Sequence, residues 1–250
     1  MHTKSKTKAS CRWLLRQRFP LLASGLALSL LNLLLTPNLR AADVPAATSL
    51  VPLPISFPKA AFQGTPPPGL KTNSYTEPFP DKQPPVPMVP QGLKNIASAP
   101  GVKITCSDTN LDSEALAKLT DGNKDASEES ILFLRKGTQW VQLDLGGPRE
   151  IFAVAIWHAY DTIKVYRDVV VQAADDPGFV TGVRTIFNND HDDAARRGVG
   201  TDREYFETQY GKVIKANGVS ARCIRFYSNG STQGAMNEYT EVEVYGRPAK

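Results

Sequence analysis

Histidine and cysteine are scarce in this chain of 250 residues, which contains three of each. The sequence has no Gly-x-Ser-x-Gly motif, no His-Glu-x-x-His motif and no pair of Cys-x-x-Cys motifs. The common sequence signatures of serine hydrolases, zinc proteases and paired-cysteine zinc sites are therefore missing. Beyond residue 42 only His158 and His191 could serve as histidine bases, and His191 lies in a strongly charged run. These absences predict a protein without catalytic activity.

A hydrophobic run long enough to cross a membrane is also missing. The Leu-rich apolar run Leu21–Leu35 is uncharged and has 15 residues, whereas a spanning helix needs about 20. Six basic residues precede this stretch, and the small residues Ala41 and Ala42 follow it. This order predicts a secretory signal peptide over residues 1–42, with an uncleaved signal anchor as the alternative. We expect a secreted or periplasmic protein with no transmembrane span after cleavage.

An excess of positive charge is missing once the predicted leader is set aside. The full chain has 29 basic and 25 acidic residues and a calculated pI of 8.9. Residues 1–42 hold seven of the basic residues and none of the acidic ones, which leaves 22 basic against 25 acidic residues. A nucleic-acid-binding protein needs a basic face on its folded domain, so we expect no nucleic acid partner.

Only two cysteines, Cys106 and Cys223, follow the predicted leader. In an exported protein such a pair could form one disulfide. Both residues lie in predicted strands, where disulfide geometry is demanding, so two buried free thiols are the alternative. The sequence leaves both possibilities open.

Proline is concentrated between residues 43 and 100. Fourteen of the 19 prolines fall there: Pro45, Pro52, Pro54, Pro58, Pro66, Pro67, Pro68, Pro78, Pro80, Pro84, Pro85, Pro87, Pro90 and Pro100. Because proline removes a backbone donor and favours extended neighbours, we expect a linker or extended arm that forms neither a ladder nor a helix. The alternative is that apolar segments, such as Val51–Phe57 and Met88–Val89, pack on the following domain.

The sequence from residue 101 to 250 predicts an all-β domain. In Gln139–Trp157 an alternating strand is followed by Gly146-Gly147-Pro148, which predicts a break, and then by a strand that is apolar on both faces. Further predicted strands are Val102–Cys106, Lys164–Ala174, Arg184–Phe187, Lys212–Ala216, Ala221–Tyr227 and Glu238–Tyr245. One helical turn is predicted within Leu111–Leu119, and a long surface loop over Asn188–Glu204. About eight short strands with little helix indicate a two-sheet sandwich.

Six segments in this order also resemble one family. They are LTDGN (Leu119–Asn123), WVQLDLG (Trp140–Gly146), REIFAVAIW (Arg149–Trp157), VVVQAADDPGF (Val169–Phe179), ARCIRFYS (Ala221–Ser228) and YTEVEVYG (Tyr239–Gly246). They are similar to the discoidin, or coagulation-factor type C, domain, and the resemblance covers roughly residues 101–248. It implies a galactose-binding-like jelly roll and a non-catalytic binding module. Such modules usually bind sugars in bacterial proteins and lipids or proteins in animal ones.

The sequence departs from the family pattern in three places. Cys223 replaces the usual aromatic or aliphatic residue, and the cysteines do not lie at the two domain ends, so the usual end-to-end disulfide is not expected. The loop Asn188–Glu204 is longer and more charged than in the family.

A calcium site is predicted at the turn that contains Asp121, Asn123 and Asp125. Alternating oxygen-bearing side chains around a glycine suit a hard cation. Related modules hold a structural calcium between this loop and a glutamate of the last strand, and Glu241 matches that glutamate. The resemblance therefore implies one structural calcium held by these four residues. An Asp-Gly turn without metal is the alternative.

A carbohydrate or glycoconjugate is the ligand that the resemblance implies, docked on loops at one end of the sandwich. Two loops offer suitable side chains, and the predicted ligand-binding residues are His158, Tyr160, Asp161, Asn229 and Asn237. A core position for Trp157 is favoured over a ligand-binding one. The alternative function is a structural or protein-interaction component of the cell envelope, which would use the Pro-rich arm or a face of the sandwich.

Overall fold

The computed structural model describes residues 49–59, 75–80 and 82–249. The predicted signal peptide lies outside these ranges. The strands are β1 (Leu50–Pro52), β2 (Met88–Pro90), β3 (Lys94–Asn95), β4 (Lys103–Cys106), β5 (Leu132–Leu134), β6 (Gln139–His158), β7 (Lys164–Val165), β8 (Val170–Ala174), β9 (Arg184–Asn188), β10 (Phe206–Glu207), β11 (Lys212–Ser228) and β12 (Asn237–Pro248). A short helix, α1 (Ser113–Ala117), continues into a 3-10 turn. In the described ranges, no helix has both the length and the apolarity that a membrane crossing requires.

Two long strands, β6 and β11, organise the domain. The first part of β6 pairs with β4 and with the end of β11, and its second part pairs with β12 and with the start of β11. The partner changes near Gly146, whose φ of +76° lies in the region that glycine favours. The predicted break at residues 146–148 was therefore wrong. The glycines let one continuous strand change partners instead of ending it.

The same correction applies to β11, which the sequence divides into two strands. Its pairing with β6 shifts register between Lys215 and Val219, around Asn217 and Gly218 with φ of +54° and +78°. The prediction of a single strand over Lys164–Ala174 was wrong in the opposite direction. This segment is divided into β7 and β8, and Asp168 with φ of +52° lies between them. Helix α1 lies within the predicted Leu111–Leu119, and its N-cap Asp112 accepts a hydrogen bond from the Ala115 N–H at 2.9 Å.

The core lies between the two halves of the bent sheet. Leu143 in the first part of β6 and Val154 in its second part are fully buried in one cluster. Ile224 of β11, Val242 of β12 and Val171 of β8 belong to the same cluster. This confirms the predicted all-β sandwich, in which alternating side chains of every long strand form one interior.

Parts of the Pro-rich segment pack on this sandwich. Strand β1 pairs antiparallel with β2, so the expectation that the segment forms no ladder was wrong. The prolines of the ladder, Pro52 and Pro90, occupy the ends of these three-residue strands, where a lost donor is tolerated. Leu53 and Val89 are buried in one cluster with Ala153 of β6 and Tyr245 of β12. The division of the chain at residues 42 and 100 stays a prediction.

The two cysteines are free. Cys106 in β4 is paired with Val141 on one side of β6, and Cys223 in β11 is paired with Asp144 on the other side. Strands separated by a third strand lie about 9–10 Å apart, beyond the reach of a disulfide. The two thiols are therefore free, as in the second alternative, but only Cys223 is buried, and Cys106 is half-buried.

Candidate functional site

A groove beside Asn229 is lined by hydrogen-bonding side chains from several loops. Its volume is about 650 Å³, and Arg167, Asp168, Asp192 and Gln233 line it together with Asn229. The Asn229 amide donates to the Asp168 carboxylate at 2.8 Å. We call this the Asn229 groove. It presents both hydrogen-bond donors and acceptors.

Backbone hydrogen bonds hold the two loops of the Asn229 groove together. The Asn229 N–H donates to the Arg167 carbonyl, and the Arg167 N–H donates to the Gly230 carbonyl, both at 2.9 Å. Asn237 lies beneath them and is fully buried. Its Oδ1 accepts from the Gly230 N–H at 2.8 Å, and its Nδ2 donates to the carbonyls of Arg135 and Gly137 at 2.8 Å. Asn237 therefore positions the loop and has no surface with which to contact a ligand.

His158 has no exposed surface either. It stacks on Tyr166 with ring centroids 4.2 Å apart, and its Nδ1 lies 3.0 Å from Glu207 Oε2. Burial lowers the pKa of His158 to about 3 and raises that of Glu207 well above its ordinary value. Both shifts favour the uncharged forms of the two side chains, because burial disfavours charge. The predicted contact of His158 with a sugar on the loops does not agree with this position at the end of the core.

Tyr160 and Asp161 lie apart from the Asn229 groove, beside a second depression of about 610 Å³. The Tyr160 hydroxyl donates to the Lys124 carbonyl at 2.9 Å, and only 3% of Tyr160 is exposed. Asp161 is exposed and forms an ion pair with Lys164 at 2.8 Å. The five predicted ligand-binding residues thus do not form one site, and a ligand-binding role for Tyr160, Asp161 and Asn229 stays a prediction.

The predicted calcium loop and the last strand are adjacent. The Gly122 N–H donates to Glu241 Oε2 at 3.2 Å, while the buried Glu241 Oε1 has no hydrogen-bond partner among the described residues. Asp121 and Asn123 each accept a backbone N–H two residues on, at 2.7 and 3.1 Å. Asp125 is exposed at the end of this turn. Burial raises the pKa of Glu241 to about 9. An unpartnered buried carboxylate oxygen beside an oxygen-rich turn fits a hard cation.

Lys124, in the middle of this loop, is buried and was missed by the sequence analysis. Its ammonium group lies 2.8 Å from Glu243 and donates to the Ser56 carbonyl at 2.7 Å. It also lies 4.5 Å from the ring centroid of Trp157, which is fully buried, as predicted. Lys124 therefore connects the loop, the last strand and the Pro-rich segment. A lysine within an acidic turn gives no local sign of burial, so no sequence signal could have identified it.

An acidic cluster at the edge of the Asn229 groove was also missed. Carboxylate oxygens of Asp168, Asp190 and Asp192 lie within 4.8 Å of one another. The two oxygens of Asp190 accept the N–H groups of Ala194 and Ala195 at 3.0 and 2.8 Å. Asp190 thus shapes its own loop, which the sequence predicts only as a long, charged surface loop.

No family model matches the chain, and no curated protein matches it. Among solved structures it is similar to CpGH89CBM32-6 produced by Clostridium perfringens, with a TM-score of 0.38 and 16% identity over 61% of this chain and 99% of that one. It is also similar to the CBM32 of AlyQ in complex with 4,5-unsaturated mannuronic acid, with a TM-score of 0.40 and 18% identity over 57% of this chain and 92% of that one.

A third similar structure is a much larger protein. It is CpGH89 from Clostridium perfringens in complex with its substrate GlcNAc-alpha-1,4-galactose, with a TM-score of 0.45 and 20% identity. The match covers 62% of this chain and 15% of that one, so the present chain corresponds to a small part of it. All three likenesses are distant, and the function proposed next rests on the residues of this chain.

Proposed function

We propose that this protein is an exported, non-catalytic carbohydrate-binding module that holds its ligand in the Asn229 groove. The observation that supports this proposal is the groove itself, in which Arg167, Asp168, Asn229 and Gln233 offer donors and acceptors together. A sugar hydroxyl both donates and accepts, so a mixed set of this kind suits it. Among the residues that the structure describes, no aromatic side chain lines this groove. We therefore expect weak binding, since hydrogen bonds exchanged with water contribute only about 0.5–1.5 kcal/mol each.

A glycan array screened with the mature chain tests this proposal. We expect retention of at least one glycan at millimolar ligand concentration and loss of that retention in Asn229→Ala. Asn110→Ala is the control, because Asn110 is an exposed asparagine that does not line the groove. Retention of no glycan by the wild-type chain, or equal retention by both variants, contradicts the proposal.

One structural calcium ion is the second part of the proposal. Glu241 Oε1 together with the turn at Asp121, Asn123 and Asp125 would hold it, and its role would be to neutralise the buried carboxylate and fix the turn. The melting temperature should rise on addition of calcium, because a ligand that binds only the folded state stabilises it. Glu241→Gln should remove that rise. A melting temperature that is unaffected by a chelator argues against the ion.

An envelope-assembly role through the Pro-rich segment is the second candidate. Leu50 and Met88, at opposite ends of the β1–β2 pair, are 56% and 48% exposed. These two side chains are the apolar surface that the paired segment would offer to a protein partner. This role predicts protein partners, captured by cross-linking in the native envelope, that disappear when Leu50 and Met88 are both changed to serine. Unchanged capture contradicts it.

A further inference from the structure

The packing of the Pro-rich segment on the sandwich encloses a cavity of about 220 Å³. The segment contributes Phe57, Glu77 and several prolines including Pro84, and the sandwich contributes Tyr210 and Lys212. We call this the junction cavity. It exists only because two parts of the chain more than 100 residues apart come together, and it shares no lining residue with the Asn229 groove.

The walls of the junction cavity are fixed before any ligand arrives. The rings of Phe57 and Tyr210 meet edge to face with centroids 5.7 Å apart, and Phe57 also packs on the buried Trp157 at 6.3 Å. Gly211 has φ of +55°, and a Cβ there would lie 2.6 Å from the Ile156 carbonyl oxygen. The backbone that carries Tyr210 is therefore pressed against β6. Rigid aromatic and proline walls lose little entropy when they bind a ligand.

One ion pair supplies the strongest polar groups of the junction cavity. Glu77 Oε1 lies 2.5 Å from Lys212 Nζ, and the two side chains are 41% and 18% exposed. A purely apolar ligand would cover this pair and provide no hydrogen bond in return, which carries a desolvation cost. An anionic ligand would meet the Glu77 carboxylate, and a cationic one the Lys212 ammonium group. The pair therefore favours a neutral ligand that donates to one group and accepts from the other.

We propose that the junction cavity binds one ring of a neutral sugar, as a second site separate from the Asn229 groove. A cavity of about 150 Å³ holds benzene, so this volume accommodates a single six-membered ring with substituents. The C–H face of a pyranose packs on Phe57 and Tyr210, and its hydroxyls reach Glu77 and Lys212. The ligand class rests on the proposed function, while the location rests on the cavity alone.

Ligand-observed saturation-transfer NMR on the mature chain tests this site. The probes are the methyl pyranosides of galactose, glucose and mannose, with galacturonic and glucuronic acid as charged counterparts. We expect at least one neutral glycoside to bind and the two acids to bind more weakly. Tyr210→Ala should weaken the neutral glycoside about five- to tenfold, the size of a lost aromatic contact. Glu77→Gln should reduce the preference over the acids.

Matched controls separate this site from the Asn229 groove and from loss of folding. Phe133→Ala and Glu114→Gln change an exposed aromatic residue and an exposed acid that do not line the junction cavity, and both should bind like the wild type. Melting curves identify any unfolded variant, and Glu77→Gln, on the surface, serves as the test if Tyr210→Ala does not fold.

The outcomes distinguish the two sites. Weaker neutral-sugar binding in Tyr210→Ala and a reduced preference over the acids in Glu77→Gln support the junction cavity. If Asn229→Ala binds every glycoside like the wild type, the Asn229 groove is contradicted. Loss of binding in Asn229→Ala, with unchanged binding in Tyr210→Ala and Glu77→Gln, overturns the junction cavity and leaves the proposed function intact. No binding of any glycoside by the wild type overturns both.

Discussion

The two outer faces of the sandwich are covered in different ways. On the half that contains the second part of β6, the outward side chains Ala153, Trp157 and Tyr245 are apolar and are buried beneath Leu53 and Phe57 of the Pro-rich segment. We call this the arm-covered face. These side chains alternate with the core positions of the same strands, so both faces of this half are buried, and the acids Glu241 and Glu243 of β12 are buried among the apolar side chains of the outer face.

On the other half, the outward side chains of β6 and β11 cover one another. The Arg225 guanidinium lies 3.9 Å from the ring centroid of Phe179 and 4.2 Å from that of Trp140, and it donates to Gln142 Oε1. We call this the arginine face. A planar cation that stacks on rings and bonds to an amide seals a sheet without a separate segment. The comparison teaches that the Pro-rich segment covers the half whose outer face carries Trp157 and Tyr245, whereas the other outer face is covered by its own side chains together with Phe179.

The largest expected difference between the faces is in the pH dependence of stability. The folded-state pKa of Glu241, about 9, exceeds its ordinary value of 4.5. The contribution of Glu241 to the free energy of unfolding is therefore complete below pH 4.5 and is lost as pH rises toward 9. On the arginine face, the hydrogen-bonded Arg222 lowers the pKa of Asp144 below its ordinary value of 3.8. The contribution of Asp144 to the free energy of unfolding is therefore lost as pH falls.

Urea unfolding of the chelated protein from pH 3 to 9 measures both effects. Glu241→Gln should flatten the alkaline decline, and Asp144→Asn should flatten only the smaller acid-side decline, because Arg222 is 40% exposed. A stability in chelator that does not change between pH 5 and 9 contradicts the first expectation.

The next largest effect is expected for Lys124→Met on the arm-covered face. The change leaves Glu243, with 8% of its side chain exposed, without its cation and breaks the contact with Ser56. Removing one partner of a buried pair costs about 3–5 kcal/mol. Urea unfolding measures the change, with Lys103→Met, at an exposed position, as the control. A loss as small as in the control would show that the contacts of Lys124 with the last strand and the Pro-rich segment do not stabilise the fold.

Leu53→Ala tests directly whether the Pro-rich segment is part of the folded unit. Leu53 is 3% exposed and Leu50 is 56% exposed, so the two leucines of one segment form a matched pair. Leu53→Ala should lower the free energy of unfolding by about 2–5 kcal/mol, and Leu50→Ala by no more than about 0.5 kcal/mol. If both variants lower the free energy of unfolding by the same small amount in denaturant, the segment is a free linker and not part of the folded unit.

The smallest effect is expected for Arg225→Met on the arginine face. The variant loses the stacking on Trp140 and Phe179 and the bonds to Gln142, which together contribute about 1–2 kcal/mol. Thermal unfolding measures it, with Arg225→Lys as the conservative control that keeps the charge but not the planar group. A loss above that for Lys124→Met would reverse the comparison of the two faces.

The local pattern of apolar and polar residues was sufficient to predict some of these structural features and insufficient to predict others. The alternation in Gln139–Trp157 identified both parts of β6, because a strand's side-chain period is a local property. It could not show that the parts are continuous, since a glycine at φ of +76° either ends a strand or bends it. The prolines of residues 43–100 predicted an extended chain correctly for β1, but whether an extended chain packs depends on the surface it meets.

The residues of the candidate site were likewise only partly predictable from the sequence. The sequence identified Asn229 from an amide in a glycine-rich loop, and it placed Glu241 beside the turn of Asp121 through the family resemblance. It did not identify Arg167 or Asp168, whose place in the groove depends on a loop 60 residues further along the chain. It placed His158 on a loop, although that histidine continues β6 into the end of the core.

The sequence by itself determined that this protein is an all-β sandwich and which side chains of each strand are apolar, because these properties repeat every two residues. Only the tertiary structure decided that the Pro-rich segment covers one face, that Lys124, His158 and Glu207 are buried, and that a cavity forms at the junction. These features arise from contacts between distant parts of the chain, and burial there is set by what the partner segment covers.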